Sequence, residues 1–257
     1  MNNSLYIAAT GMQAQQLTLD TISNNLVNIN TPGFKRSRVN FNELMHVNPV
    51  QSSADGSYAS ATTGIGISAD NITRDFAQGQ ISQTTSPFDV AINGNGFFEV
   101  VLPDGSTGYS RGGTLQITKD SFLATSAGYL LKPLVHIPTN VTALNISPDG
   151  KLSVQTSTND QTLDIGQLEL AHFANAGGLK AMNGGVYTQT DASGSAIYGK
   201  PGATGLGLIT QGALENSNVS MVDEMVTLLV AQRAYELSSK VAQASDEMMS
   251  MANNLRK

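Results

Sequence analysis

The sequence predicts an α+β protein: long N- and C-terminal helices paired as a coiled-coil-like domain, enclosing a mainly β, barrel- or sandwich-like middle. Two observations carry this expectation. Apolar residues at both ends recur in alternating steps of three and four, the spacing of a coiled-coil seam. Between them, short β-type runs follow one another with Gly- and Asn-rich turn signals, the texture of a barrel or sandwich.

The first helix is expected over roughly Ser4 to Asn28, with the seam Leu5, Ala8, Met12, Gln15, Leu19, Ile22, Leu26, Ile29. At ~1.5 Å per residue it would be close to 40 Å long. Chain ends are usually frayed and polar, so an apolar seam there needs a partner. The other end, a neighbouring copy and the middle domain are all candidates, and periodicity does not choose among them. Asn30-Thr31-Pro32-Gly33 ends the helix, because proline pushes its predecessor out of the α region and Gly33 supplies a turn. Phe34-Lys35-Arg36-Ser37-Arg38 is a local positive cluster that reads as a solvated turn. From His46 to Thr63 the chain is rich in Ser, Ala, Thr and Gly, with Val47, Val50 and Tyr58 as its apolar anchors. That composition fits an extended excursion or a loop without its own core.

From Ile65 to Gln211 the texture is β. Strand runs are expected at Asp89–Ile92, Phe97–Leu102, Tyr129–Leu131, Val135–Ile137, Leu144–Ile146, Lys151–Val154 and Gln167–Leu170. Asn93-Gly94-Asn95-Gly96, Asp149-Gly150 and Gly177-Gly178 supply turns between them. The last helix is expected from Ser220 to about Leu255, with Ser220 and Asp223 as a loose capping box. Its seam is Val230, Ala234, Leu237, Val241, Ala244, Met248, Met251, Leu255. Arg256 and Lys257 follow, where a helix dipole favours positive charge. The domain division expected is 1–33 with 217–257 as a helical domain, 34–64 as an extended bridging arm and 65–216 as a β domain.

Charged residues make up 13 % of the chain, against ~25 % in ordinary soluble domains. Neutral polar residues replace them, and such a surface suits close contact between proteins because fewer charges need desolvating. A net charge of −6 argues against nucleic-acid binding and against anionic membrane surfaces. With no cysteine there is no disulfide framework, thiolate nucleophile or thiolate metal site. No run approaches the ~20 apolar residues of a membrane span, and Met1-Asn2-Asn3-Ser4 lacks the positive region of a secretory signal.

A search for chemistry finds none. His46, His136 and His172 fall in separate segments without partner ligands at metal spacing. Asp160 and Asp164 lack the central Gly and final Glu of a calcium loop. Gly94-x-Gly96 is not a dinucleotide fingerprint, the glycine-rich Gly199–Gly207 lacks a Gly-Lys-Ser/Thr, and no Gly-x-Ser-x-Gly occurs. No catalytic residue, cofactor or metal is therefore expected.

The segment Ser23-Asn24-Asn25-Leu26-Val27-Asn28-Ile29-Asn30-Thr31-Pro32-Gly33-Phe34-Lys35 resembles the signature of bacterial flagellar rod and hook proteins. Ala8-Ala9-Thr10-Gly11-Met12-Gln13-Ala14-Gln15-Gln16 is similar to that family as well. So are Gly94-Asn95-Gly96-Phe97-Phe98-Glu99-Val100, Leu102-Pro103-Asp104-Gly105, Leu214-Glu215-Asn216-Ser217-Asn218-Val219 and Gln232-Arg233-Ala234-Tyr235-Glu236. The matches run in order along essentially the whole chain. Length and the Phe34–Gly66 stretch look most like the distal-rod members; proximal-rod and hook-type members share the termini. One departure is Tyr109-Ser110-Arg111-Gly112-Gly113-Thr114, where the family usually has an Asp before a Gly, a change expected to alter a turn.

The resemblance implies a structural subunit of an open helical polymer, with terminal helices paired as an inner tube around an export channel and the β domain outside. It implies torque transmission through the periplasm, export by the flagellar type III apparatus without a cleaved signal, and contact with other rod proteins, the hook protein and bushing rings. The expected assembly interface is Leu5, Met12, Leu19, Ile22, Leu26, Asn24, Asn25 and Asn28 on the first helix, Val47, Val50 and Tyr58 on the arm, and Val230, Leu237, Val241, Met248 and Leu255 on the last. The competing expectation from another class is a surface β-domain hydrolase or carbohydrate-binding protein with helical termini.

Overall fold

A computed structural model describes residues 2–49, 60–138, 141–156 and 159–254. The architecture is α+β: one helix at each end and a β-rich middle. The chain divides into two compact units.

The first unit holds Met1–Val27, Ser37–Arg74 and Ser220–Lys257. Its elements are α1 (Asn2–Val27), β1 (Ser37–Pro49), β2 (Ser60–Arg74) and α2 (Met221–Asn254). α2 starts where the capping residues place it: the Asp223 N–H reaches the Ser220 hydroxyl at 3.5 Å and the Glu224 N–H the Ser220 carbonyl at 3.0 Å. β1 and β2 form a two-stranded antiparallel ribbon from Ser37↔Arg74 to Pro49↔Ser60. The pairing slips between Asn40 and Phe41 and again between Leu44 and Met45, leaving Asp70 and Ile65 of β2 as extra residues. Such bulges increase the twist of a ribbon. The stretch that composition left as an excursion or a loop is therefore hydrogen-bonded on both flanks. Its partner strand carries few apolar residues, which is why no alternation marked it. Val50 and Tyr58 lie outside the described residues, and of Val47 only the backbone pairing with Thr62 is described.

The second unit holds Asn28–Arg36 and Asp75–Val219. Its strands are β3 (Ile81–Gln83), β4 (Asp89–Asn93), β5 (Phe97–Val101), β6 (Thr107–Ser110), β7 (Gly112–Ile117), β8 (Leu123–Thr125), β9 (Leu130–Leu131), β10 (Val141–Ile146), β11 (Lys151–Thr156), β12 (Asn159–Gln167), β13 (Leu170–His172), β14 (Lys180–Ala181), β15 (Val186–Thr188), β16 (Ile197–Gly199), β17 (Leu208–Gln211) and β18 (Ala213–Glu215). The main sheet runs β14-β15-β6-β5-β9-β8-β7-β4-β17, with β13 joining β5 to β16. β10-β11-β12 form a second sheet, and β18 pairs with β3.

β5 explains why its run reads as continuously apolar. Successive residues of a strand face opposite ways. Phe98 and Val100 enter the larger core with Val90, Leu152, Leu168 and Ile209, while Phe97 enters a second, aromatic cluster with Tyr109, Phe173 and Tyr187. Tyr109 and Phe173 meet edge to face at 4.7 Å.

Two strand expectations are corrected. Gln167–Leu170 is not one strand: β12 ends at Gln167 and β13 begins at Leu170, and the Leu168 N–H turns aside to the Gly150 carbonyl at 2.7 Å. The chain changes sheets there. Val135–Ile137 contributes only the isolated bridge His136↔Phe122, with the two rings edge to face. The Asn93–Gly96 turn is present, but the strands it joins do not pair with each other; β4 lies between β7 and β17, and β5 pairs with β6, β9 and β13.

Candidate functional site

The polar residues of the signature segments become two buried nodes, one in each unit. In the first unit Asn25, near the end of α1, is 1 % exposed. Its Oδ1 accepts the Ser37 N–H at 2.9 Å, and its Nδ2 donates to the Ser37 carbonyl at 2.9 Å and to Glu224 Oε2 at 3.4 Å. One amide thus ties the last turns of α1 to the first residue of β1 and to the first turn of α2. An amide suits the position because it supplies two donors and an acceptor on one short, uncharged planar group.

In the second unit Lys35 is fully buried. This corrects its reading as part of a solvated turn. Its Nζ donates to Glu215 Oε1 at 2.8 Å and to the Ala77 carbonyl at 2.7 Å. Glu215 also accepts the Arg111 Nε–H at 3.2 Å and the Gly79 N–H at 2.9 Å. Arg111 carries more than the altered turn expected of it. Its guanidinium donates to the carbonyls of Gly96 at 2.7 Å and Gly94 at 2.9 Å, and lies 5.7 Å from the Phe97 ring centre. Gly94 and Gly96 adopt φ of +115° and +137°, a backbone that presents both carbonyls and that other residues rarely take. A buried charge is tolerated only when paired and hydrogen-bonded, and here one carboxylate serves two cations.

Electrostatics follow from this packing. Burial acts to raise the Glu215 carboxyl, but Arg111 and Lys35, with the Gly79 N–H, outweigh it and hold the group below its ordinary range. Burial lowers the Lys35 ammonium, and Glu215 offsets this only in part. Around the cluster the two ends of the unit lie side by side. The Gly33 N–H reaches the Glu215 carbonyl at 2.7 Å. Asn218 Oδ1 accepts the Arg36 N–H at 2.7 Å, while its Nδ2 donates to the carbonyls of Asp75 and Ala77. A Cβ on Gly79 would collide with the Asn216 carbonyl, so the close approach requires glycine.

The helices place the expected interface residues differently. α1 and α2 lie against each other within the first unit. On α1 Ile22 is buried, and Leu5, Met12, Leu19 and Leu26 are half-buried. On α2 the buried positions are Glu224, Ala231 and Ser245, with the half-buried Ser238 continuing their seven-residue step. Ser238 comes so near Gly11 that a Cβ there would touch its hydroxyl at 3.5 Å. Ala8 and Ala14 are also buried. On α2 the buried positions thus lie one residue on from the seam of large side chains, a rotation of about 100°, whereas on α1 the buried Ala8 and Ile22 belong to the expected seam. Val226, Leu229, Val230, Leu237, Val241 and Met248 are left 52–63 % exposed. Asn24 is exposed, Asn28 is half-buried and falls in the second unit, and Leu255 lies outside the described residues.

The sequence reading missed Lys35, Arg111, Glu215, Asn218 and Glu224 as site residues. The available signal was that charge is scarce in this chain, yet Lys35 and Glu215 sit inside signature segments. Among the described residues, no group of three or more His, Asp or Glu could hold a metal ion, and no helix is long and apolar enough to cross a membrane.

Three family models match the chain: a flagella basal body rod protein model over residues 5–35, the flagellar hook protein FlgE/F/G D1 domain over 91–154, and the flagellar basal body rod FlgEFG protein C-terminal model over 210–255. The two nodes draw on all three regions. Among similar proteins, the flagellar basal-body rod protein FlgG of Buchnera aphidicola subsp. Schizaphis graminum is 41 % identical, covering 98 % of this chain and 99 % of that protein. The FlgG of Borreliella burgdorferi is 40 % identical with both chains covered in full. That of Caulobacter vibrioides is 40 % identical over 98 % and 99 %. With identity of this order along its whole length, the chain belongs to the flagellar basal-body rod family, a family of structural proteins rather than enzymes.

Proposed function

We propose that this protein is a structural subunit of the distal rod that assembles with copies of itself into an open, hollow helical tube. The observation that carries the reading is the apolar stripe of α2. On α2 the buried positions are Glu224, Ala231 and Ser245, while Val230, Leu237, Val241 and Met248 stay outward. Burying each against a neighbouring copy contributes on the order of 1–3 kcal/mol. In this reading α1 and α2 pair in the manner of a coiled coil, with 1–33 and 217–257 forming the inner tube around an export channel. The ribbon of β1 and β2 acts as an extended arm that meets neighbouring subunits. Asp75–Val219 form a sandwich-like β domain, a layering supported by two apolar clusters on opposite faces of β5. The tube transmits torque through the periplasm to the hook protein, meets other rod proteins and surrounding rings, and receives subunits through the flagellar type III export apparatus.

Leu237→Asp and Val241→Asp in the full chain test this. Each side chain is already more than half exposed, so the fold should survive, while a charge in a desolvated contact costs several kcal/mol. The expected result is a wild-type melting curve together with loss of polymer in sedimentation and negative-stain micrographs. Variants that polymerise like the parent would remove α2's outward face from the assembly.

A further inference from the structure

We propose that Lys35, Glu215 and Arg111 form a closing clasp that makes folding of the second unit wait for its last strand. Lys35 precedes the β strands of this unit, and Glu215 ends the last of them, 180 residues later. Arg111 stands between β6 and β7, 104 residues before Glu215. Both cations are buried, at 0 % and 5 % exposure, and both donate to the same carboxylate. Until Glu215 arrives, completing the turn at Gly94–Gly96 and the Gly33–Arg36 segment would bury two neighbouring positive charges without that counter-charge. Leaving them in water means leaving those segments unmade. The sheet has the same dependence: β4 gains its second neighbour only from β17, and β3 pairs with β18. Both strands come from the end of the unit.

A chain still emerging with its N-terminus first therefore holds the unit open through electrostatics as well as through missing strands. Long-range pairings that must close before they are rewarded fold late and together. The clasp adds charge to that topology, so that a chain lacking its end does not settle into a near-native β fold. This inference is independent of the assembly reading, since it concerns one subunit in dilute solution.

Refolding of the full chain, followed by pulse-labelled hydrogen exchange, tests it. Amides of β4, β5 and β6 are expected to gain protection in the same phase as those of β3 and β18. Glu215→Gln should slow that phase by about tenfold or more, since it removes an interaction made at the rate-limiting step. Lys35→Met should slow it by less than about threefold, because Arg111 and Glu215 remain a neutral pair. Lys35→Met combined with Glu215→Gln should recover much of the loss, having removed one uncompensated cation. If Glu215→Gln alone does not fold, the double variant decides: regained protection supports the clasp, and continued absence of protection overturns it. The proposal is also overturned if β4–β6 become protected well before β18, or if Glu215→Gln leaves the folding phase unchanged.

Discussion

At the scale of single residues, the amides and charges of the signature segments have unequal jobs. Asn25 makes three hydrogen bonds in a buried setting, whereas Asn24, its neighbour in sequence, is exposed. Asn25→Ala is expected to destabilise the first unit by roughly 2–3 kcal/mol, because it strands buried polar partners; Asn24→Ala should change thermal unfolding far less. Asn25→Asp removes the donors and sets a second carboxylate beside Glu224. It should be worse than alanine at pH 7 and should recover on acidification as the introduced carboxyl takes up a proton, which burial and a neighbouring like charge favour. Glu215 has its own pH signature. Its folded pKa is depressed below the ordinary 4.5, so its contribution is present above that value and is lost as pH falls below it through the folded value. Denaturant midpoints of the second unit should therefore fall on an acid limb that Glu215→Gln lacks, the variant being weaker already at neutral pH. None of these roles was legible from composition. A lysine after a turn looks solvated, and only the tertiary fold shows that Lys35 has Glu215 waiting for it.

At the scale of elements, the ends and the strands of β4, β5 and β11 were legible because their periodicity and turn signals agree. The ribbon of β1 and β2 was not, since a strand with little apolar content leaves no alternation to read. The seams of large side chains were legible, but which face of α2 meets α1 was not. Seam counting rewards large apolar side chains, but on α2 the buried positions are Ala231 and Ser245, with half-buried Ser238 between them beside Gly11 of α1. Ala231→Leu should overpack that contact and lower stability by about 1–3 kcal/mol, seen as a lower melting temperature, although it adds apolar volume. Gly66, at φ +139° and pressed against Thr10, should respond to Gly66→Ala with a comparable loss, roughly 1–3 kcal/mol. Both changes belong to the first unit, so hydrogen exchange in β4–β9 should be unaltered.

At the scale of the whole molecule, the chain combines few charges with an uncovered apolar stripe on a helix at one end. A lone soluble domain usually avoids that pairing; a subunit uses it. Contacts of one face with a different face of the next copy do not close unless the rotation happens to form a ring, and they produce filaments. Mass analysis of assembling protein should show a broad ladder of lengths rather than one closed species. Family membership was legible from motifs spread along the chain, whereas the direction in which α2 turns its large side chains required the packed helices. The direct measurement is electron cryo-microscopy of the assembled polymer at side-chain resolution. Val230, Leu237, Val241 and Met248 are predicted to lie dry against helices of neighbouring copies, with Ala231 and Ser245 still against α1 of the same chain. A polymer in which that stripe faces open water, with the subunits joined wholly through their β units, would contradict it.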